Sequence, residues 1–160
     1  MTTRSFKSSG ITGADLTTQR QAVAPAPKPV GIKTPLRQGT NGSGILDMHF
    51  SVADQMKNNL RDLILTNWGE RLGLFDYGAN LLPLAAEYER GKDWFDDEAV
   101  VRIRAAAAKY MPFVELETYE SVFVEGGSTD GLGIVRITVY YSIPRALVPT
   151  TALQVTFAVS

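Results

Sequence analysis

Glu70 and Asp76 are the residues whose type and spacing most directly suggest chemistry. They stand six apart, on either side of Gly73. Two carboxylates flanking a bond are the working parts of a glycoside hydrolase, one acting as acid and the other as base or nucleophile. The acid of such a pair needs a raised pKa, usually from an apolar pocket. Glu70 is instead followed by Arg71, and an opposite charge favours the ionised form if the two pair. A loop pinned by carboxylate–backbone or carboxylate–arginine bonds accounts for the same residues without catalysis. Other chemistries have fewer parts. The chain has no cysteine and one histidine, His49. That excludes disulfides, thiolate catalysis and cysteine zinc sites, and it makes a histidine metal cluster impossible. His49 is read as structural. No G-x-S-x-G elbow is present for a serine nucleophile. Gly126-Gly127 and Gly131-x-Gly133 lie between two expected strands with no helix N-terminus after them, so they read as hairpin residues and not as a phosphate loop. No metal and no cofactor is expected, and the protein is expected not to be an enzyme.

The elements that must position these residues follow from composition and periodicity. A chain of 160 residues, 44% apolar and 21% charged, fits one domain with a core of its own. No run is long and apolar enough to span a bilayer, and MTTRSFKSSG has no apolar stretch of a secretory signal. Charge is uneven. Residues 1–45 hold six basic side chains (Arg4, Lys7, Arg20, Lys28, Lys33, Arg37) against Asp15, whereas 46–160 hold ten basic and sixteen acidic ones. Pro25, Pro27, Pro29 and Pro35, with six glycines, make 1–45 an expected extended arm, reaching roughly 150 Å if fully drawn out.

Beyond it, Ser51 and Asp54 suggest a capping box. Val52, Met56, Leu60, Leu63 and Ile64 fall on one face of a helix over 52–67. Asn80 is a candidate N-cap for a short helix ending near Glu89, with Gly91 as its stop. Asp93 or Asp96 opens a third helix to 110, with Val100, Ile103, Ala107 and Tyr110 inward and Pro112 ending it. The last third alternates as strands: 113–124, 134–143 and 153–159, with Pro144 and Pro149 bounding the final connection. Helices followed by strands give an α+β domain, a small antiparallel sheet of about three strands covered by helices on one face. Tyr140, Tyr141 and Phe157 on such a sheet could stack bases, but an acidic domain opposes a nucleic-acid backbone.

The stretch Leu60-Arg61-Asp62-Leu63-Ile64-Leu65-Thr66-Asn67-Trp68-Gly69-Glu70-Arg71, followed by Asp76-Tyr77-Gly78-Ala79-Asn80-Leu81, resembles the gene-25-like (W-like) baseplate wedge proteins of contractile phage tails. The TssE subunit of type VI secretion baseplates is related to them. The pattern is a leucine-bearing helix, an L-x-T-x-x-G-E-R phrase, a loop with an aromatic residue and a glycine, then a leucine. The resemblance covers roughly 46–160, and Gly31-Ile32-Lys33-Thr34-Pro35-Leu36 resembles longer members. It implies a structural subunit that joins wedge subunits around the tail hub and starts sheath assembly by strand exchange. The implied partners are other wedge subunits, the tail sheath protein, and hub or tube proteins, with neither membrane nor nucleic acid. The implied place is the virion tail baseplate, assembled in the host cytoplasm.

The implied contact or loop-holding residues are Glu70, Arg71, Asp76 and Pro112. Many members carry Glu-Pro-Arg where this chain has Met111-Pro112-Phe113, so only the proline carries over. The final strand, with Leu153, Val155, Phe157 and Val159, is the candidate for the sheath contact. Two alternatives stand beside this reading. One is a lysozyme-like peptidoglycan hydrolase of the tail, testable by cell-wall turbidity with Glu70→Gln as control. The other is a nucleic-acid-binding module, testable by salt-dependent binding.

Overall fold

The computed structural model describes residues 28–39, 45–88, 94–124 and 133–159. Its elements are strands β1 (Gly31–Ile32) and β2 (Met48–His49), helices α1 (Val52–Leu65), α2 (Leu81–Tyr88) and α3 (Phe95–Tyr110), and strands β3 (Glu115–Val124), β4 (Gly133–Ile143) and β5 (Val148–Val159). A single 3-10 turn, Pro144–Ala146, joins the last two. Strands β3, β4 and β5 form one antiparallel sheet in that order, and β1 pairs antiparallel with β2 in a small ribbon. The architecture is α+β, as the order of helical and alternating segments predicts.

The central strand shows why one face is covered. Val135, Ile137, Val139, Tyr141 and Ile143 are buried, while the residues between them are half-buried or exposed. Alternation of period two puts the first set on one face. Leu153, Val155 and Phe157 of β5 join them. Helix α1 contributes Leu60, Leu63 and Ile64, α2 contributes Leu81, Leu84 and Ala85, and α3 contributes Phe95, Ala99, Ile103, Ala106 and Ala107. Helices α1 and α2 lie against β5, and α3 lies against β3. Met111 and Val114 are also buried, so the apolar residue before Pro112 belongs to the core. Pro112 itself is exposed just past the end of α3, whose last carbonyls include Ala107, bonded by the Met111 N–H at 2.8 Å.

Several local expectations change. Ser51 precedes α1 with extended backbone, yet its side chain makes no capping bond, so the Ser51–Asp54 box does not form. Asp54 still places a negative charge in the first turn, where the helix dipole favours it. Helix α1 stops at Leu65 and not at 67. Thr66 turns extended, and both its N–H (3.0 Å) and its hydroxyl (2.6 Å) donate to the Asp62 carbonyl.

Asn80 does not cap α2 in the usual way. Its φ is 51°, in the left-handed region, where an ordinary N-cap is extended. The N–H of Leu82 is instead accepted by Asn67 Oδ1 at 3.2 Å, a cap supplied from the far end of the preceding loop. Pro149 is inside β5 and does not mark the boundary of a connection. An outermost strand tolerates a residue without an N–H. The proposed stop at Gly91, the start at Asp93 and the hairpin residues Gly126, Gly127 and Gly131 lie outside the described residues.

Of the segment expected to be an extended arm, residues 28–39 and Ile45 are described, and 28–39 fold back on the domain. Gly31 pairs with His49 and Ile32 with Met48. Thr34 fastens this ribbon to α1. Its hydroxyl donates to Asp62 Oδ2 at 2.7 Å and accepts from Asn58 Nδ2 at 2.7 Å, and its carbonyl accepts from Arg61 at 3.4 Å. Among the described residues, no helix is long and apolar enough to cross a membrane.

Candidate functional site

The loop between α1 and α2 holds three of the four residues singled out for contact or loop holding. It is built as a bracket. The Gly69 N–H donates to the Phe75 carbonyl at 2.7 Å, closing the tip on itself. The Ala79 N–H donates to Leu63 at 3.1 Å and the Asn80 N–H to Thr66 at 3.3 Å, which ties the outgoing limb to the end of α1. The Trp68 indole N–H donates to the Gly78 carbonyl at 3.0 Å across the loop. Arg102 on α3 braces the structure from outside. It donates to the Asn80 carbonyl at 2.9 Å, pairs with Glu98 at 2.8 Å, and sits 5.7 Å from the Trp68 ring centre.

Within this frame, Glu70 does not pair with Arg71. Its carboxylate accepts the Asn67 backbone N–H at 2.8 Å and the Asn67 side-chain amide at 2.9 Å. The side-chain bond first, then the backbone bond, holds its pKa below the ordinary carboxylate value. Arg71 is exposed and lies over the Tyr77 ring, 4.3 Å from its centre, joining the two limbs by a cation–π contact. Asp76 points the other way. It is ion-paired with Lys109 on α3 and accepts the Tyr110 hydroxyl at 2.8 Å. Those bonds, Lys109 first, lower its pKa.

Two consequences follow. Neither carboxylate has the raised pKa that a general acid requires. Both also link pH to stability. A carboxyl more acidic in the folded chain than in the unfolded one stabilises the fold above its unfolded value, about 4 for these side chains. That stabilisation is lost as pH falls through the lower folded value. We therefore expect Asp76→Asn with Glu70→Gln to melt earlier than the parent at pH 7. The difference should shrink as pH falls below about 4, read by thermal melts at pH 7 and at acid pH. An unchanged difference at acid pH would show that these carboxylates stabilise by something other than their charge.

Four apolar side chains, Trp68, Leu72, Leu74 and Phe75, are left exposed on the bracket, Leu72 at 94% of its surface. An open groove of about 500 Å³ lies beside it, bordered by Thr34, Asp62, Glu70, Arg71 and Tyr77. Among the described residues, no group of three or more metal-ligating side chains comes together.

The second feature is the edge of the sheet. Strand β5 pairs with β4 over Val148 to Val159, and among the described residues no strand lies on its outer side. Its twelve residues carry no charge. Leu153, Val155 and Phe157 point into the core, and Ala152, Gln154, Thr156 and Ala158 are exposed. Val159 is described by its backbone pairing with Gly133. The opposite edge, β3, carries Glu115, Glu117 and Glu120, and its ladder is broken by a bulge between Leu116 and Thr118.

Neither a protein-family model nor a characterised protein matches this sequence. Solved structures do. A chain of the anti-feeding prophage baseplate, known by cryo-electron microscopy, superposes with a TM-score of 0.54 at 18% identity over 70% of this chain and 82% of that one. The two chains share a fold. A proposed tail lysozyme from Geobacter sulfurreducens superposes with a TM-score of 0.46 at 17% identity, over 69% of this chain and 93% of its own.

Asn67, which sequence reasoning passed over, is the residue that organises the bracket, since it binds Glu70 and caps α2. Its position three residues before Glu70, just past the last helical leucine, was the available signal.

Proposed function

We propose that this protein is a non-catalytic structural subunit of a contractile-tail baseplate. In that reading residues 46–160 are the wedge domain, and the basic segment 1–45, part of which folds onto α1, reaches neighbouring subunits. The fold shared with a baseplate chain supports the setting. The observation that carries the mechanism is the contrast between the two sheet edges. Natural sheets guard an exposed edge with charge, bulges or a cover. Both edge ladders carry a register shift, so charge separates them: β3 is guarded by Glu115, Glu117 and Glu120, and β5 is twelve residues long and uncharged. Such an edge can accept another chain's strand through its backbone groups.

The sheath protein is the proposed donor of that strand, so β5 starts sheath growth by strand exchange. The bracket, with Glu70, Arg71 and Asp76, and the exposed Pro112 would face other wedge subunits or hub and tube proteins. The assembled product would be the tail baseplate of the virion, put together in the host cytoplasm.

The test uses the exposed side chains of β5, which leave the core untouched. Ala152→Lys with Gln154→Lys places two charges on the open edge, opposite the uncharged Tyr140 and Thr138. Baseplates should still form and sheaths should fail to grow, scored by electron microscopy of particles, with an unchanged melting curve showing that the domain folds. Normal sheaths on those particles would reject strand exchange at β5.

A further inference from the structure

The ribbon β1–β2 is turned with its apolar side away from its own domain. Gly31 and His49 sit opposite each other in the ladder. They face α1, because a Cβ on Gly31 would lie 1.9 Å from Gln55 Oε1, and His49 Nε2 is buried. By alternation the next pair, Ile32 and Met48, lies on the other side of the ribbon, Ile32 exposed and Met48 half-buried. Phe50, two residues past Met48, follows it. Val30, Ile32 and Phe50 are each exposed over more than two-fifths of their surface, and Leu36 over 68%.

A ribbon this short does not hold itself together. What fastens it to α1 is polar: the Thr34 hydrogen bonds to Asn58, Arg61 and Asp62. The outward apolar residues are thus not used for folding, and apolar residues gathered on one side of a chain mark a contact surface.

Charge indicates what covers it. Lys28 and Arg37 on the ribbon segment are exposed and make no ion pair among the described residues, while Lys33 is matched by Asp47. The chain's own residues 1–27 carry Arg4, Lys7 and Arg20 against Asp15. They have the same sign and are a poor match.

We propose that the outward face of this ribbon docks an acidic amphipathic segment of a neighbouring, different subunit. The apolar residues of that segment would cover Ile32 and Phe50, and its carboxylates would meet Lys28 and Arg37. The inference rests on the assembly reading for the existence of a neighbour, and it uses a surface separate from β5.

The test is crosslinking in the full-length protein, made in its natural source and recovered in assembled particles. The probe is the photoreactive substitution Ile32→p-benzoylphenylalanine. The expected adduct maps to another subunit, on a segment with more acidic than basic residues. An adduct to residues 1–27, to a second copy of the chain or to a basic segment overturns the proposal, as does no adduct at all. A second measurement guards against a perturbed ribbon. Lys28→Glu with Arg37→Glu should lower incorporation into particles about tenfold, one decade of affinity, with melting unchanged. Unchanged incorporation overturns it. The charged β5 variant separates the two readings, since it should abolish sheath growth while leaving the Ile32 adduct in place.

Discussion

Gly78→Ala should destabilise the domain by about 3 kcal/mol or more. Two separate costs act at this one position. The backbone there has φ of 108°, a conformation that side chains with a Cβ rarely adopt. An added Cβ would also lie 2.1 Å from the Thr66 carbonyl oxygen and 2.7 Å from its carbon. Both are backbone atoms, so no rotamer change relieves the contact. The Thr66 carbonyl cannot move freely, because it accepts the Asn80 N–H. Gly78 cannot move freely either, because its carbonyl accepts the Trp68 indole.

Gly69 and Gly73 are the internal controls. They also have positive φ, but a Cβ added at either one would meet nothing within 4 Å. Alanine at those positions should cost only the conformational part, about 1–2 kcal/mol. Chemical denaturation of the three variants measures the difference directly. Equal losses would mean that close approach of the two loop limbs contributes nothing.

Phe157→Ala should cost roughly 3–5 kcal/mol, the range for emptying a large buried aromatic site. Phe157 is 5% exposed, and Leu153 and Val155 are 3% exposed. A domain of this kind has a total stability on the order of 5–15 kcal/mol. One substitution in β5 therefore removes a large share of it, and removing residues 153–160 would take three core side chains together. Such a truncation should give an unfolded or insoluble chain, not a folded one lacking only its edge. Circular dichroism and solubility of the truncated chain would show this. A soluble, cooperatively melting truncation would mean that β5 is an appendage and that the core closes without it.

How far the sequence foretold this structure depended on the range of the interaction. Helix α1 was legible because Leu60, Leu63 and Ile64 recur at helical spacing, and β4 because its inward residues alternate without a break. Those patterns come from burial on one face, which each segment records locally. The bracket was legible as a loop, but its wiring was not. Asp76 finds its partners on α3, thirty-three and thirty-four residues later. The adjacent Glu70 and Arg71 ignore each other in favour of Asn67 and Tyr77. Neighbours in sequence point different ways on a turning backbone, so adjacency was a poor guide to pairing. Asn80 misled for a related reason. Asparagine is favoured both at N-caps and in the left-handed region, and only the closure of the loop decides between them. The folded-back ribbon depended on Thr34 reaching three side chains of α1, a contact that no local pattern announces.

The unequal edges of the sheet also set a valence. A strand-pairing unit with two open edges can propagate in both directions and build a fibre, whereas one with a single open edge is monofunctional. Left with only its own copies, the chain is expected to join β5, which no strand covers among the described residues, to β5 and to stop there, because the glutamates of β3 disfavour a further pairing. Concentrated solutions should therefore stop at a closed pair. On the proposed reading, a monofunctional unit of this kind would set where a polymer of other subunits begins without becoming part of its repeat.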